Sequence, residues 1–185
     1  MERSSTNNLA RFSFFSRPIT NTRPASNFSL ADAYNYITGA YAKRTTAMLR
    51  QITDVKQARL FKAANFDYCT FSGTFRYRNE KALIEHSGFL CLDFDHLPNW
   101  DEVHSNLLND DFFETQLLFR SPSGDGLKWI IKIDITSTSH ADYFRAVANY
   151  LKQTYNLDVD QSGKDISRAC FLPHDPDCYI NPQNL

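Results

Sequence analysis

Asp93 and Asp95 stand two residues apart at the end of an apolar run, Phe89-Leu90-Cys91-Leu92-Asp93-Phe94-Asp95. In a β-strand, residues two apart share a face, so both carboxylates project together while Leu92 and Phe94 point the other way. Paired carboxylates repel, and one takes up a proton unless a cation lies between them. A divalent ion is the common resolution. Mg²⁺ binds one or two carboxylates and completes its shell with phosphate oxygens and water. The same acids also suit pairing with an arginine or capping a neighbouring helix.

Two further motifs carry related chemistry. Arg120-Ser121-Pro122-Ser123-Gly124-Asp125-Gly126-Leu127-Lys128 places two glycines and two serines in a tight loop, which offers backbone N–H groups and hydroxyls to an anion. Lys128 opens the next strand within reach of a phosphate, although an ordinary hairpin turn has a similar composition. Asp158-Val159-Asp160 is a second acid pair, with Lys164, Asp165 and Arg168 following. A third carboxylate is what a two-metal phosphoryl-transfer site requires; a solvated turn would read the same way. Acid pair, glycine loop with a cation, then acid and arginine form a kit for a nucleoside triphosphate. His86, His96, His104, His140 and His174 are scattered, and no Cys or Ser nucleophile pairs locally with a histidine.

The composition suits such a site without demanding it. The 185 residues suffice for one sizeable domain or two small lobes with a shared core. A net charge of −1 argues against a protein that coats nucleic acid nonspecifically, but leaves room for a local basic groove. Most of the basic bias lies before residue 63, in residues such as Arg50, Lys56, Arg59 and Lys62. Fifteen Phe and nine Tyr point to an aromatic core, with stacking on bases as the other use. Cys69, Cys91, Cys170 and Cys178 form no C-x-x-C pair and read as reduced, buried thiols. A polar start and the lack of a long apolar run predict a cytoplasmic protein with no membrane partner.

These motifs need elements to position them. Residues 1–28 read as a polar, then extended, N-terminal segment containing Pro18 and Pro24, ahead of a domain over 29–185. Ser29 is a helix cap, and two helices are expected between about 30 and 63, broken near Gly39 or Arg44. Residues 68–78 favour a strand, Asn79 caps a short helix to His86, and 89–95 form the acid-bearing strand. A helix over 99–109 precedes a hairpin of strands 115–121 and 127–135. Tyr143, Phe144, Val147, Tyr150 and Leu151 give residues 139–155 one apolar helical face. An extended piece at 157–160 and a strand at 167–173 follow, and the end reads as loop. This order predicts α+β, with helices packed on a mainly antiparallel sheet.

The motifs in this order resemble the archaeo-eukaryotic primase, or primase-polymerase, superfamily. The closer resemblance is to the BT4734-like or VirE N-terminal family of mobile elements and phages. It rests on FSGTFRYRNEKALIEHSGFLCLDFDHL (71–97), SPSGDGLKWIIKI (121–133) and DQSGKDISRACFLPHDPDCYIN (160–181). It implies an RRM-like antiparallel sheet flanked by helices, joined to a small α/β N-terminal unit. It further implies that Asp93, Asp95 and Asp160 hold Mg²⁺ or Mn²⁺, with Asp158 and Asp165 as rivals for the third acid. Ser123, Gly124, Lys128 and Arg168 would bind the nucleoside triphosphate. The sequence departs from the superfamily at Lys128, where a histidine is expected; lysine keeps a positive charge without the imidazole geometry. The implied activity is primer synthesis on a DNA template, in the front part of a longer replication protein with a helicase. A DNA-binding domain that has lost the chemistry, and a metal-dependent nuclease, are the alternatives.

Overall fold

The computed structural model describes residues 10–185; the polar residues 1–9 lie outside the described part. Strand β1 (Phe12–Phe15) buries Phe12 and Phe15 completely and pairs antiparallel with β2 (Ser26–Phe28). Ser29 and Asp32 form a reciprocal capping box that starts helix α1 (Leu30–Thr38). Two more helices follow, α2 (Lys43–Leu49) and α3 (Val55–Asn65), so three helices occupy the span where the sequence predicts two. The extra break has a local cause: the Asp54 side chain accepts from the Gln57 N–H and begins a new helix.

The strand expected over 68–78 divides into β3 (Tyr68–Thr70) and β4 (Gly73–Phe75). The helix expected from Asn79 to His86 is one 3-10 turn, Glu80–Ala82, followed by strand β5 (Leu83–His86). β5 pairs antiparallel with β4, and tertiary pairing overrides the local helical signal. Gly73 permits this, since a Cβ there would overlap the Glu85 carbonyl oxygen.

The acid-bearing strand β6 (Phe89–Phe94) leads through α4 (Trp100–Leu108) to the hairpin β7 (Thr115–Arg120) and β8 (Leu127–Lys132). Helix α5 (His140–Tyr155) starts at the Ser139 cap. The strand expected at 167–173 shortens to β9 (Cys170–Phe171), because Asp165 folds Ser167 and Arg168 into a turn. The end, read as loop, contributes β10 (Tyr179–Ile180), which pairs antiparallel with β7 through Tyr179–Leu118 and Ile180–Leu117.

The result is α+β, with antiparallel sheets flanked by helices and a small α/β unit contributed mainly by the N-terminal segment. Of the two four-stranded sheets, the first has the order β2-β1-β3-β9 and the second β10-β7-β8-β6, while β4 and β5 form a separate two-stranded sheet. Side-chain alternation gives the second sheet two buried faces. Leu90, Leu92, Phe94, Leu118, Trp129 and Ile131 pack with Phe144, Val147 and Leu151 of α5 and with Val103 and Leu107 of α4. Phe89, Leu117, Phe119 and Ile130 face Phe12, Cys69 and α1. Asp93 and Lys128 belong by alternation to this second face, near the end of β6. No helix among the described residues is long and apolar enough to cross a membrane.

Candidate metal centre

Three carboxylates meet at the end of β6. Asp93 is in the strand, Asp95 is one residue beyond it, and Asp160 arrives after α5. Each offers an oxygen within 4.8 Å of the others. The third acid is placed by the backbone itself, since the Asp160 N–H donates to the Asp93 carbonyl at 2.9 Å. Its rivals lie elsewhere. Asp158 is exposed and pairs with Lys152 at 2.9 Å. Asp165 accepts from the N–H and hydroxyl of Ser167.

Lys128 sits beneath the acids. The β6–β8 register sets it directly across from Asp93, and the two side chains form a largely buried ion pair. Burial works against the Lys128 charge, but Asp93 outweighs it and holds the ammonium above the usual lysine range. Burial also pushes the Asp93 carboxyl up, against the pull of Lys128, with Asp95 and Asp160 adding to the rise. Asp93 Oδ1 is buried and has no hydrogen-bond partner. An unpaired carboxylate oxygen beside two other acids is a strong sink for a cation, so the donor set fits a hard divalent ion.

Arg168 lies 2.9 Å from Asp160. Partial burial tends to raise the Asp160 pKa, but the hydrogen bond from the Ser162 N–H, together with Arg168 and Lys128, holds it below the ordinary value. The glycine loop folds as a tight turn. Gly124 has φ +87, and its N–H donates to the Ser121 carbonyl at 2.9 Å. Gly126 lies against the end of β6, where a Cβ would overlap the Phe94 carbonyl oxygen. The turn therefore brings Ser123 to the cleft beside Asp95. His96 takes a positive φ of 54 after the strand ends and meets Asp125 at 2.6 Å through Nδ1. His174 ties the C-terminal segment to the Gly39 carbonyl at 2.8 Å, away from the acids.

The chemistry-bearing residues that motif reading did not nominate are at the C-terminal end of α2 and on α3. A cleft of about 310 Å³ is lined by Arg50, Arg59 and Lys62 together with Asp95, His96, Ser123 and Asp125. Arg50 donates to the carbonyls of Ser121 and Pro122, each at 3.3 Å, and braces the loop. The available signal was the basic bias before residue 63, which did not say which cations face the acids.

A family model described as "BT4734-like, N-terminal domain" matches residues 61–180. No curated protein matches the chain. Among solved structures, the chain is similar to the polymerase domain from Mycobacterium tuberculosis ligase D in complex with DNA. The identity is 14% and the TM-score 0.42, and the alignment covers 95% of this chain and 61% of that chain.

Proposed function

We propose that this chain, which belongs to the BT4734-like N-terminal domain family, is a metal-dependent nucleotidyltransferase domain of primase-polymerase type. The observation that carries the reading is the convergence of Asp93, Asp95 and Asp160 around the unpaired Asp93 Oδ1. Asp93, Asp95 and Asp160 hold Mg²⁺ or Mn²⁺. The bound ion supplies activation of a primer 3′-hydroxyl and neutralises the leaving pyrophosphate. Ser123 presents its hydroxyl to the triphosphate from the turn that Gly124 shapes, while Lys128 and Arg168 offset its charge. DNA is the template, in a replication protein working with a helicase.

The test is a calorimetric titration of Mn²⁺ with dATP or ATP, using Asp93→Ala/Asp95→Ala as the control. Metal-dependent nucleotide binding that disappears in the double variant supports the site and leads to a primer-synthesis assay. Unchanged binding in the variant sinks it.

A second reading has its own support. Lys128 already pairs with Asp93, and Arg168 with Asp160, as expected of a site that has become charge-balanced without metal. The domain would then bind DNA for an attached helicase, with salt-sensitive affinity that needs no metal. Salt-insensitive binding would exclude this reading. Cutting of plasmid DNA with Mn²⁺ and no nucleotide would instead assign the acids to a nuclease.

A further inference from the structure

Three cations around the site are already engaged: Lys128 by Asp93, Arg168 by Asp160, and Arg50 by two loop carbonyls. Two others facing the same cleft are not. Among the described residues, the side chains of Arg59 and Lys62 make no ion pair or hydrogen bond. They stand three apart on α3 and so lie on neighbouring turns of one helix face. Both line the same cleft as Ser123 and Asp95. The Lys62 ammonium also lies 5.9 Å from the centre of the Phe171 ring.

The electrostatics favour an anion here. Burial lowers the Lys62 pKa, and Lys128 lowers it further, against the opposing pull of Asp93, Asp95 and Asp125. A half-buried ammonium with no counter-ion of its own is stabilised when an anion arrives. At about 310 Å³ the cleft is at the small end of ligand sites, which span roughly 300–1,000 Å³. That space suits a chain of phosphates more than a whole nucleotide.

We infer that Arg59 and Lys62 of α3 form the seat of the terminal phosphates of a nucleoside triphosphate, in the cleft that Asp95 also lines. The naming of that ligand rests on the nucleotidyltransferase reading. The seat itself is present without metal, because neither cation has to be released from an acid first. In this arrangement α3 holds the outer end of the phosphate chain and the three acids act on its inner end.

The experiment is titration of the full chain with inorganic tripolyphosphate in EDTA, with a short single-stranded oligonucleotide as a parallel ligand. Tripolyphosphate binding is expected in the unaltered chain. It should weaken by about tenfold in Lys62→Met and in Arg59→Met, the loss of one charge-assisted contact. Lys62→Arg should bind as the parent does, and Lys43→Met, which removes a charge from α2 outside the cleft, should also bind normally. Absence of binding in the parent, unchanged binding in Lys62→Met, or equal weakening in Lys43→Met overturns the assignment. So does a Lys62→Met defect confined to the oligonucleotide, which would give the seat to a nucleic-acid backbone. The metal reading is judged separately, by Mn²⁺ titration of Asp95→Asn. Circular dichroism melts of each variant show whether the fold is retained.

Discussion

The two flanks of β6 each carry a cluster of titratable groups, and they are built on opposite principles. Before the strand, His86 and His140 touch through Nε2 and Nδ1 at 3.1 Å. The Gly88 N–H donates to His86 Nδ1 at 3.0 Å, so that nitrogen carries no proton. His86 therefore donates from Nε2 to His140 Nδ1, and His140 donates from its own Nε2 to the Gly163 carbonyl at 3.2 Å. Every ring nitrogen is used and both tautomers are fixed. At the other end, Asp93 Oδ1 has no partner and three carboxylates crowd together. The larger groove, about 560 Å³, lies at the histidine end. Cavity size points one way and unsatisfied chemistry the other. The unsatisfied end is the better guide, because a polar cluster that has satisfied itself has little left to offer a ligand.

The largest expected effect is at the acid end. Asp93→Ala should abolish metal-dependent nucleotide binding, a loss of at least about 100-fold by calorimetry. It also strands Lys128 in a buried setting, so a denaturant melt should show about 3 kcal/mol of destabilisation. An Asp93→Ala protein that binds metal normally would remove the contrast between the two ends.

His140→Phe comes next. It leaves the His86 Nε2–H and the Gly163 carbonyl without their partner, with an expected loss of about 1–3 kcal/mol in stability. Metal affinity should change much less than in Asp93→Ala. A variant that folds normally but loses metal would show that the histidines belong to the site.

The pH dependence sharpens the same distinction. Burial, with His140 adding, lowers the His86 pKa to about 4, and burial also lowers that of His140. The folded protein thus binds these protons less readily than the unfolded chain. Their contribution is whole above about pH 6.5 and is lost as pH falls toward 4. The melting temperature should decline across that window, and His86→Gln/His140→Gln should flatten the decline. The smallest effect is expected at Asp158→Asn: within about 0.5 kcal/mol in stability and no change in metal binding.

Much of the acid end was legible in the sequence. Phe89 to Asp95 alternates cleanly, and the Asp-x-Asp spacing fixes a shared direction. The position of Lys128 was not legible, because its register against Asp93 is set between strands far apart in sequence and bonded through the whole β6–β8 ladder. The same limit applies to β10: two residues carry no readable period, and their strand character comes from the β7 edge they meet. β5 was read as helix because Asn79 is a sound cap, and it does cap, but only for one turn. The cations of α3 were visible as charge, not as a wall of the cleft.

The hydrogen bond from the Asp160 N–H to the Asp93 carbonyl has a consequence for how the molecule is made. Asp93 and Asp95 leave the ribosome before Asp160, which follows only after the β7–β8 hairpin and α5 have been synthesised. A nascent chain therefore lacks a complete set of donors until the segment after α5 returns to the edge of β6, a long-range closure that folds late. Uptake of a divalent ion in the test tube would then time the final step of refolding: a chelation signal that lags behind helix formation would mark the moment the third acid docks.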